Sequence, residues 1–393
     1  MAFDSNPDVY ASSTAPTFED WKDLWSVWDT VTRKMIPNEE LVEKPIKLRN
    51  ACIFYLGHIP TFLDMQLNKV TEEPFQCHSH SEIPDEWPPL EDILSYQERN
   101  LGRALWLGFE HEAMHLETLL YMLLQSDKTI SPTSARPDFK GEAVKAKALR
   151  VPNEWFTIPE QKIVVGDNEK PSREVVVQSF EAKGRPITNE EYALYLEQTH
   201  ESKIPASWIQ NQRSNGYTNG TSNGYSNGSV NGSTSPRLSK AYLEDKAVRT
   251  VYGPVPLDHV DGLNVKKAER HLGKTVPAVN GHLINEGVEE TPPSQVSQVS
   301  GSSQELFTDL KGANVGFKNW HSIPVTAGGN KLAGQADMGG VWEWTSSPLV
   351  QHEGFEPMPL YPAYTADFFD GKHNIILGGS WATHPRIAGR KTL

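Results

Sequence analysis

The stretch Phe109-Glu110-His111-Glu112-Ala113-Met114-His115-Leu116-Glu117 sets two histidines four residues apart in a helical pattern. On a helix, positions i and i+4 lie one above the other on the same face, so both imidazoles can reach a single metal ion. A third histidine, His58, closes the apolar run 51–56 in a separate helical stretch. An imidazole buried there without a partner would be costly. Three neutral imidazoles from two helices make a facial ligand set and leave other coordination positions open. The metal site is therefore read as His58, His111 and His115. Imidazole suits zinc, copper, iron and nickel alike, so the ligand types do not name the metal.

Two other readings compete for these residues. His111-Glu112-Ala113-Met114-His115 is an H-E-x-x-H string, the signature of zinc metalloproteases, in which Glu112 would serve as general base. The sequence after His115 runs Leu116-Glu117-Thr118-Leu119-Leu120 and offers no H-x-x-G-x-x-H extension, while Asp138 and Glu142 fall in a linker-like stretch. The protease stays a minor alternative. The cluster Cys77-His78-Ser79-His80 lacks the matching partner pair of a structural zinc site and reads as a loop.

These histidines need a scaffold, and the residue pattern supplies one. Phe18, Trp21, Trp25 and Trp28 recur at three- and four-residue steps, which predicts a helix with an aromatic core stripe from Thr17 onward. Further helices are expected over 41–67, 90–102 and 104–125. Four helices with short connections predict an antiparallel bundle over 17–126, preceded by a loose tail over 1–16. Residues 127–153 are polar and read as a linker. Beyond Trp155, short β-rich runs (156–158, 162–165, 175–177) alternate with Gly, Pro and Trp. The region 154–393 thus reads as an irregular α+β domain rather than a doubly wound sheet. The tracts 211–236 and 291–304 are too polar to bury a core and are expected to be disordered insertions.

The chain has 393 residues, of which 37% are hydrophobic, and eleven are Trp, enough to build cores in both regions. A net charge of −13 argues against a nucleic-acid partner, which calls for a basic stripe. No apolar run approaches the roughly 18 residues that span a bilayer, and the N-terminus has no signal-peptide pattern. Two cysteines, Cys52 and Cys77, fit a reducing compartment, so a soluble cytoplasmic protein is expected. The sequons at Asn219, Asn227 and Asn231 are by-products of an Asn-Gly-Ser-Thr tract.

Residues 50–60 and 108–120 together resemble the iron-binding helices of ergothioneine-type sulfoxide synthases of the fungal kind. In that family the N-terminal domain is a DinB-like four-helix bundle. The second domain is a C-type-lectin-like fold shared with formylglycine-generating enzyme. Gly184-Arg185-Pro186-Ile187-Thr188-Asn189-Glu190-Glu191-Tyr192, Gly339-Gly340-Val341-Trp342-Glu343-Trp344-Thr345 and Leu377-Gly378-Gly379-Ser380-Trp381-Ala382-Thr383-His384-Pro385-Arg386 are similar to that second domain. The resemblance covers most of 17–393 outside the polar tracts. It implies a mononuclear non-haem iron(II) enzyme with O₂ as co-substrate. Such an enzyme joins a cysteine-derived thiol, cysteine or γ-glutamylcysteine, to trimethylhistidine (hercynine) as a sulfoxide. His58, His111 and His115 fall on the three iron ligands, and Arg99 and Arg103 are suited to clamp the carboxylates of the thiol substrate. Glu117 lies about 200° around the helix from His115 and is read as structural rather than a ligand.

The chain also departs from the family pattern. It lacks the methyltransferase domain of the fungal fusions, so trimethylation is expected from a separate histidine methyltransferase. The segment between Leu67 and Cys77 looks shortened. The chain stops at Arg390-Lys391-Thr392-Leu393, where family members continue into an Asn-Trp motif and a final strand. A partner strand near Ile375-Ile376-Leu377 is therefore expected to be missing, and a non-catalytic paralogue that keeps fold and metal is the alternative function. No catalytic residue is assigned; Tyr361 and Tyr364 are candidates for the tyrosine that donates a proton or electron in bacterial relatives, with packing the favoured role for either. Formylglycine-generating chemistry is excluded because no cysteine follows Cys77.

Overall fold

The computed structural model describes residues 3, 16–47, 49–70, 99–133, 135–150, 152–165, 173–183, 187–200, 203–210, 240–257, 264–266, 269–271, 314–323 and 342–388. The tracts 211–236 and 291–304, the cluster at 77–80 and residues 90–98 of the third expected helix lie outside them.

Helix α1 spans Phe18–Asp29. Thr17 caps it, its hydroxyl accepting from the Asp20 N–H while the Asp20 carboxylate accepts from the Thr17 N–H at 2.6 Å. Trp21, Leu24, Val27 and Trp28 are buried along one stripe, as the aromatic spacing predicts. Past Asp29 the chain widens into a π-helical turn, Thr30–Met35. There the Thr30 and Thr32 hydroxyls donate back to the Ser26 and Trp28 carbonyls at 3.1 and 2.8 Å, a competition with the backbone that bends helices.

Helix α2 spans Cys52–Val70, beginning well after the expected start at 41. Pro45 disfavours helical backbone at Lys44. The intervening loop instead folds back, with Cys52 N–H donating to Glu43 O and Ile53 N–H to Leu41 O. Helix α3, Arg99–Leu123, is continuous where two segments were expected. Gly102 and Ala104 are buried within it, small side chains that suit a closely packed helix. Gly108 shows the same device: a Cβ there would run into the Leu63 side chain of α2. Among the described residues the N-terminal half thus has three long helices rather than four.

The stretch read as a linker contains helix α4, Phe139–Ala148, capped by Asp138. Phe139 anchors it in a core with Ala193, Leu196 and Trp208 of the second half. That half holds small antiparallel sheets. β1 (Trp155–Ile158), β4 (Phe180–Lys183) and β10 (Glu269–His271) form one. β2 (Gln161–Val165) pairs with β3 (Arg173–Val177), and β5 (Ile187–Thr188) with β9 (Asn264–Lys266). β6 (Trp208–Gln210), β7 (Lys246–Val248) and β8 (Val255–Pro256) form a third group. Helix α5, Asn189–Thr199, starts on a capping box between Thr188 and Glu191. The short helices α6, Lys240–Glu244, and α7, Ala363–Ala366, complete the set. The mixed helix and strand content is the α+β class expected.

β11 (Trp342–Pro348) pairs antiparallel with β12 (Asn374–Gly378), Trp342 opposite Gly378. Among the described residues this sheet is two-stranded, so β12 has β11 on one side and no strand on the other. The largest core ignores the boundary between the halves, uniting Trp21, Trp28 and Phe109 with Phe317, Trp320 and Trp381. Even Phe3, within the expected loose tail, is 7% exposed; its N–H donates to Gly316 O at 2.6 Å and its ring packs 4.3 Å from His384. Among the described residues no helix is long and apolar enough to cross a membrane.

Candidate metal centre

α2 and α3 lie side by side and bring His58 against His111 and His115. The three ring centroids are 4.9, 5.0 and 4.3 Å apart, and one ligand nitrogen from each ring lies within 4.8 Å of the others. His111 is buried, whereas His58 and His115 are partly exposed, so the cluster is reached from the side of those two rings.

Burial holds all three imidazoles neutral. His111 is pushed down to about 2 by desolvation first, then by the charges that His115 and His58 would carry. His115 is lowered to about 4 by desolvation, then by His58 and by the Arg49 guanidinium. His58 is lowered by desolvation. The neutral imidazole is the form that ligates metals.

Bond lengths of about 2.1 Å place neighbouring imidazole nitrogens about 3–3.5 Å apart around an ion, a small adjustment from the spacing here. Nδ1 of His111 is buried with no hydrogen-bond partner among the described residues. Such an orphan costs about 1–3 kcal/mol unless something satisfies it. The residues fit a metal ion.

The surroundings are aromatic. Phe62 stacks on His111 at 3.7 Å with planes 12° apart, and Phe54 stacks on His58 at 4.7 Å and 18°. Both phenylalanines come from α2, four residues either side of His58. Tyr55 lies 5.5 Å from His115 and is pushed up by burial. This apolar shell fixes ring orientation and limits water. The spacing Phe54-x₃-His58-x₃-Phe62 was visible in the sequence but carried no reading there; nor did Arg49, whose charge reaches His115.

The other singled-out residues separate cleanly. Glu112 is 2% exposed, and its carboxylate accepts from Trp25 Nε1 of α1 at 3.4 Å rather than joining the triad, contrary to the arrangement a protease would need. Arg103 is partly exposed on α3, about 12 Å along the axis from His111 by helical rise; the side chain of Arg99 lies outside the described residues. Tyr361 packs 5.5 Å from Phe62, a packing position. The Tyr364 side chain lies outside the described residues. Glu117 faces the second half, away from the triad, as its angular offset predicts. The pair between buried Arg386 and Asp20, 2.8 Å apart, left no local signal in the sequence.

No family model matches the chain. Ergothioneine biosynthesis protein 1 of Neurospora crassa is 50% identical to it over 503 aligned positions, covering 100% of this chain and 57% of the relative. The alignment is longer than the 393 residues of this chain, so the relative carries internal segments absent here. The protein of the same name from Schizosaccharomyces pombe is 28% identical over 96% of the chain and 53% of its own length. Hercynine oxygenase of Mycobacterium tuberculosis is 27% identical over 56% of the chain and 50% of its own length. The chain spans about half the length of these curated relatives. Along its whole length the chain is thus similar to part of a fungal ergothioneine biosynthesis protein 1.

Proposed function

We propose that this chain acts in ergothioneine biosynthesis as an iron(II)- and O₂-dependent enzyme. It would join hercynine to a cysteine-derived thiol, with His58, His111 and His115 as the ligands. The observation that carries this reading is the all-imidazole triad flanked by aromatic rings, in a chain 50% identical over 503 aligned positions to a fungal ergothioneine biosynthesis protein. The named activity of the mycobacterial relatives, hercynine oxygenase, points to O₂ as co-substrate.

A bound iron(II) ion supplies the redox chemistry with O₂ and open coordination positions. The chain supplies the rest. Three neutral imidazoles leave the full charge of a divalent ion uncompensated, which favours an anionic thiolate as the next ligand. Phe54 and Phe62 stack on two of the imidazoles, and the buried Phe62 shields His111 from water. Arg103, with Arg99, is assigned to the carboxylates of the thiol substrate, for which a guanidinium fork is the natural partner.

The test is O₂ consumption together with product mass, on protein reconstituted anaerobically with iron. Hercynine with cysteine or γ-glutamylcysteine is expected to yield the sulfoxide conjugate, and the better thiol identifies the donor. Zinc must be excluded first, since it outranks iron(II) in intrinsic affinity. Full iron loading with no turnover on either thiol would favour the non-catalytic paralogue.

A further inference from the structure

Glu117 sits two residues past His115 on α3 and is 4% exposed. Four donors converge on its carboxylate. Tyr121, one turn further along α3, donates to Oε1. From the second half, Trp342 Nε1 and Ser380 Oγ each donate to Oε1 at 2.5 Å, and Thr383 Oγ1 donates to Oε2 at 2.8 Å.

The loop after β12 fixes the direction of two of these bonds. The Ala382 N–H donates to Ser380 Oγ at 3.1 Å, and the Ser380 N–H donates to Thr383 Oγ1 at 2.8 Å. Each hydroxyl accepts from its own loop and turns its hydrogen toward Glu117. An indole N–H only donates. The socket therefore takes a group that only accepts, which glutamine does not satisfy.

Glu117 and His115 share one turn of helix, so neither can shift along α3 without the other. Trp342 and the 380–383 loop are held to that same turn. We propose that Glu117 is a positioning residue coupling the histidine triad to the second half of the molecule. The triad keeps its metal-binding spacing only while Glu117 is seated, and a metal in the triad in turn holds the 380–388 segment onto α3. Coupling of this kind is reciprocal by linkage. The inference rests on the triad binding a metal.

The test uses Co(II) as probe, followed by its visible absorption, and hydrogen exchange of 380–388 with and without the ion. In the unaltered chain, Co(II) is expected to bind near one per chain and to slow exchange in that segment. Glu117→Gln is expected to weaken Co(II) binding about tenfold, the usual scale for outer-shell partners, and to remove the slowing. Ser380→Ala leaves α3 untouched and should shift both readouts less, in the same direction; it decides the matter if Glu117→Gln does not fold. Phe3→Ala is the control for simple loosening, with faster exchange in both states and an unchanged Co(II) affinity. If Glu117→Gln or Ser380→Ala behaves like Phe3→Ala, the coupling is overturned while the metal site stands. Absence of Co(II) binding in the unaltered chain overturns both.

Discussion

Helix α3 carries two buried polar clusters on opposite faces, and they differ in how completely the protein satisfies them. Around Glu117 every need is met, with four donors for two carboxylate oxygens. Around His111 the neighbours are a phenyl ring and two other imidazoles, and a buried ring nitrogen has no partner among the described residues. Desolvating polar groups is costly on both faces. A cluster that answers the cost internally is structural; one that leaves it open implies a ligand supplied from outside. This contrast, more than the H-E-x-x-H string, separates the roles of the charged and imidazole side chains on α3.

The contrast can be broken most directly at the open cluster. Replacing His111 and His115 together by Ala is expected to take bound iron from about one per chain to below a tenth. Metal analysis after anaerobic reconstitution reads this, and stoichiometric metal in the double variant would remove the triad from consideration.

Proton linkage offers the next largest effect. The folded-state values of His111, His115 and His384 are about 2, 4 and 3, all below the ordinary 6.5, and burial is the leading cause for each. Below pH 6.5 the unfolded chain therefore binds more protons, so stability is complete above 6.5 and is lost as pH falls toward the folded values. Each group contributes about 1.4 kcal/mol per pH unit in that window, or up to about 6 kcal/mol for the three together by pH 5. Thermal melts of metal-free protein between pH 7.5 and 5 should show the decline; bound metal should raise stability across the range without removing the slope, because it holds imidazoles that are already neutral in the folded chain. A flat metal-free profile would mean that the imidazoles are not buried as described.

Asp20 tests the satisfied side away from α3. Arg386 is fully buried against it, and Asp20 also closes the capping box of α1. Asp20→Asn removes the carboxylate facing a buried guanidinium, and a loss of about 3–5 kcal/mol is expected in urea unfolding. A loss under 1 kcal/mol would show that this contact between the halves is dispensable. The smallest effect is expected at Glu112→Gln. Metal content should not change, and stability should fall by about 1 kcal/mol for a weakened bond to Trp25. Loss of metal in that variant would return Glu112 to the site and revive the protease reading.

Local signals carried the helical half far. The Trp spacing placed the buried face of α1, and the four-residue step between His111 and His115 placed both rings on one face. Boundaries fared worse. The 41–51 stretch has helix-forming residues, yet its backbone is taken by the start of α2 and by the restriction before Pro45. The break expected between 102 and 104 is absent, and one helix runs through the buried Gly102. In the second half the short β-rich runs marked β1, β2 and β3, but their pairing depended on partners that no local pattern specifies.

What the sequence by itself determined is what depends on period and residue chemistry. The i, i+4 histidines, the capping pairs Thr17–Asp20 and Thr188–Glu191, the α+β texture and the outward angle of Glu117 are all of this kind. Only the tertiary structure decided which distant groups meet. His58 reaches His111 because α2 and α3 pack side by side, with Leu63 of α2 lying over Gly108 of α3. Glu117 meets Ser380 and Thr383 across more than 260 residues of chain, and Arg386 meets Asp20. The reason is physical: a period fixes the direction in which a side chain leaves its element, but the identity of what it meets is set by how the elements bury their apolar faces together.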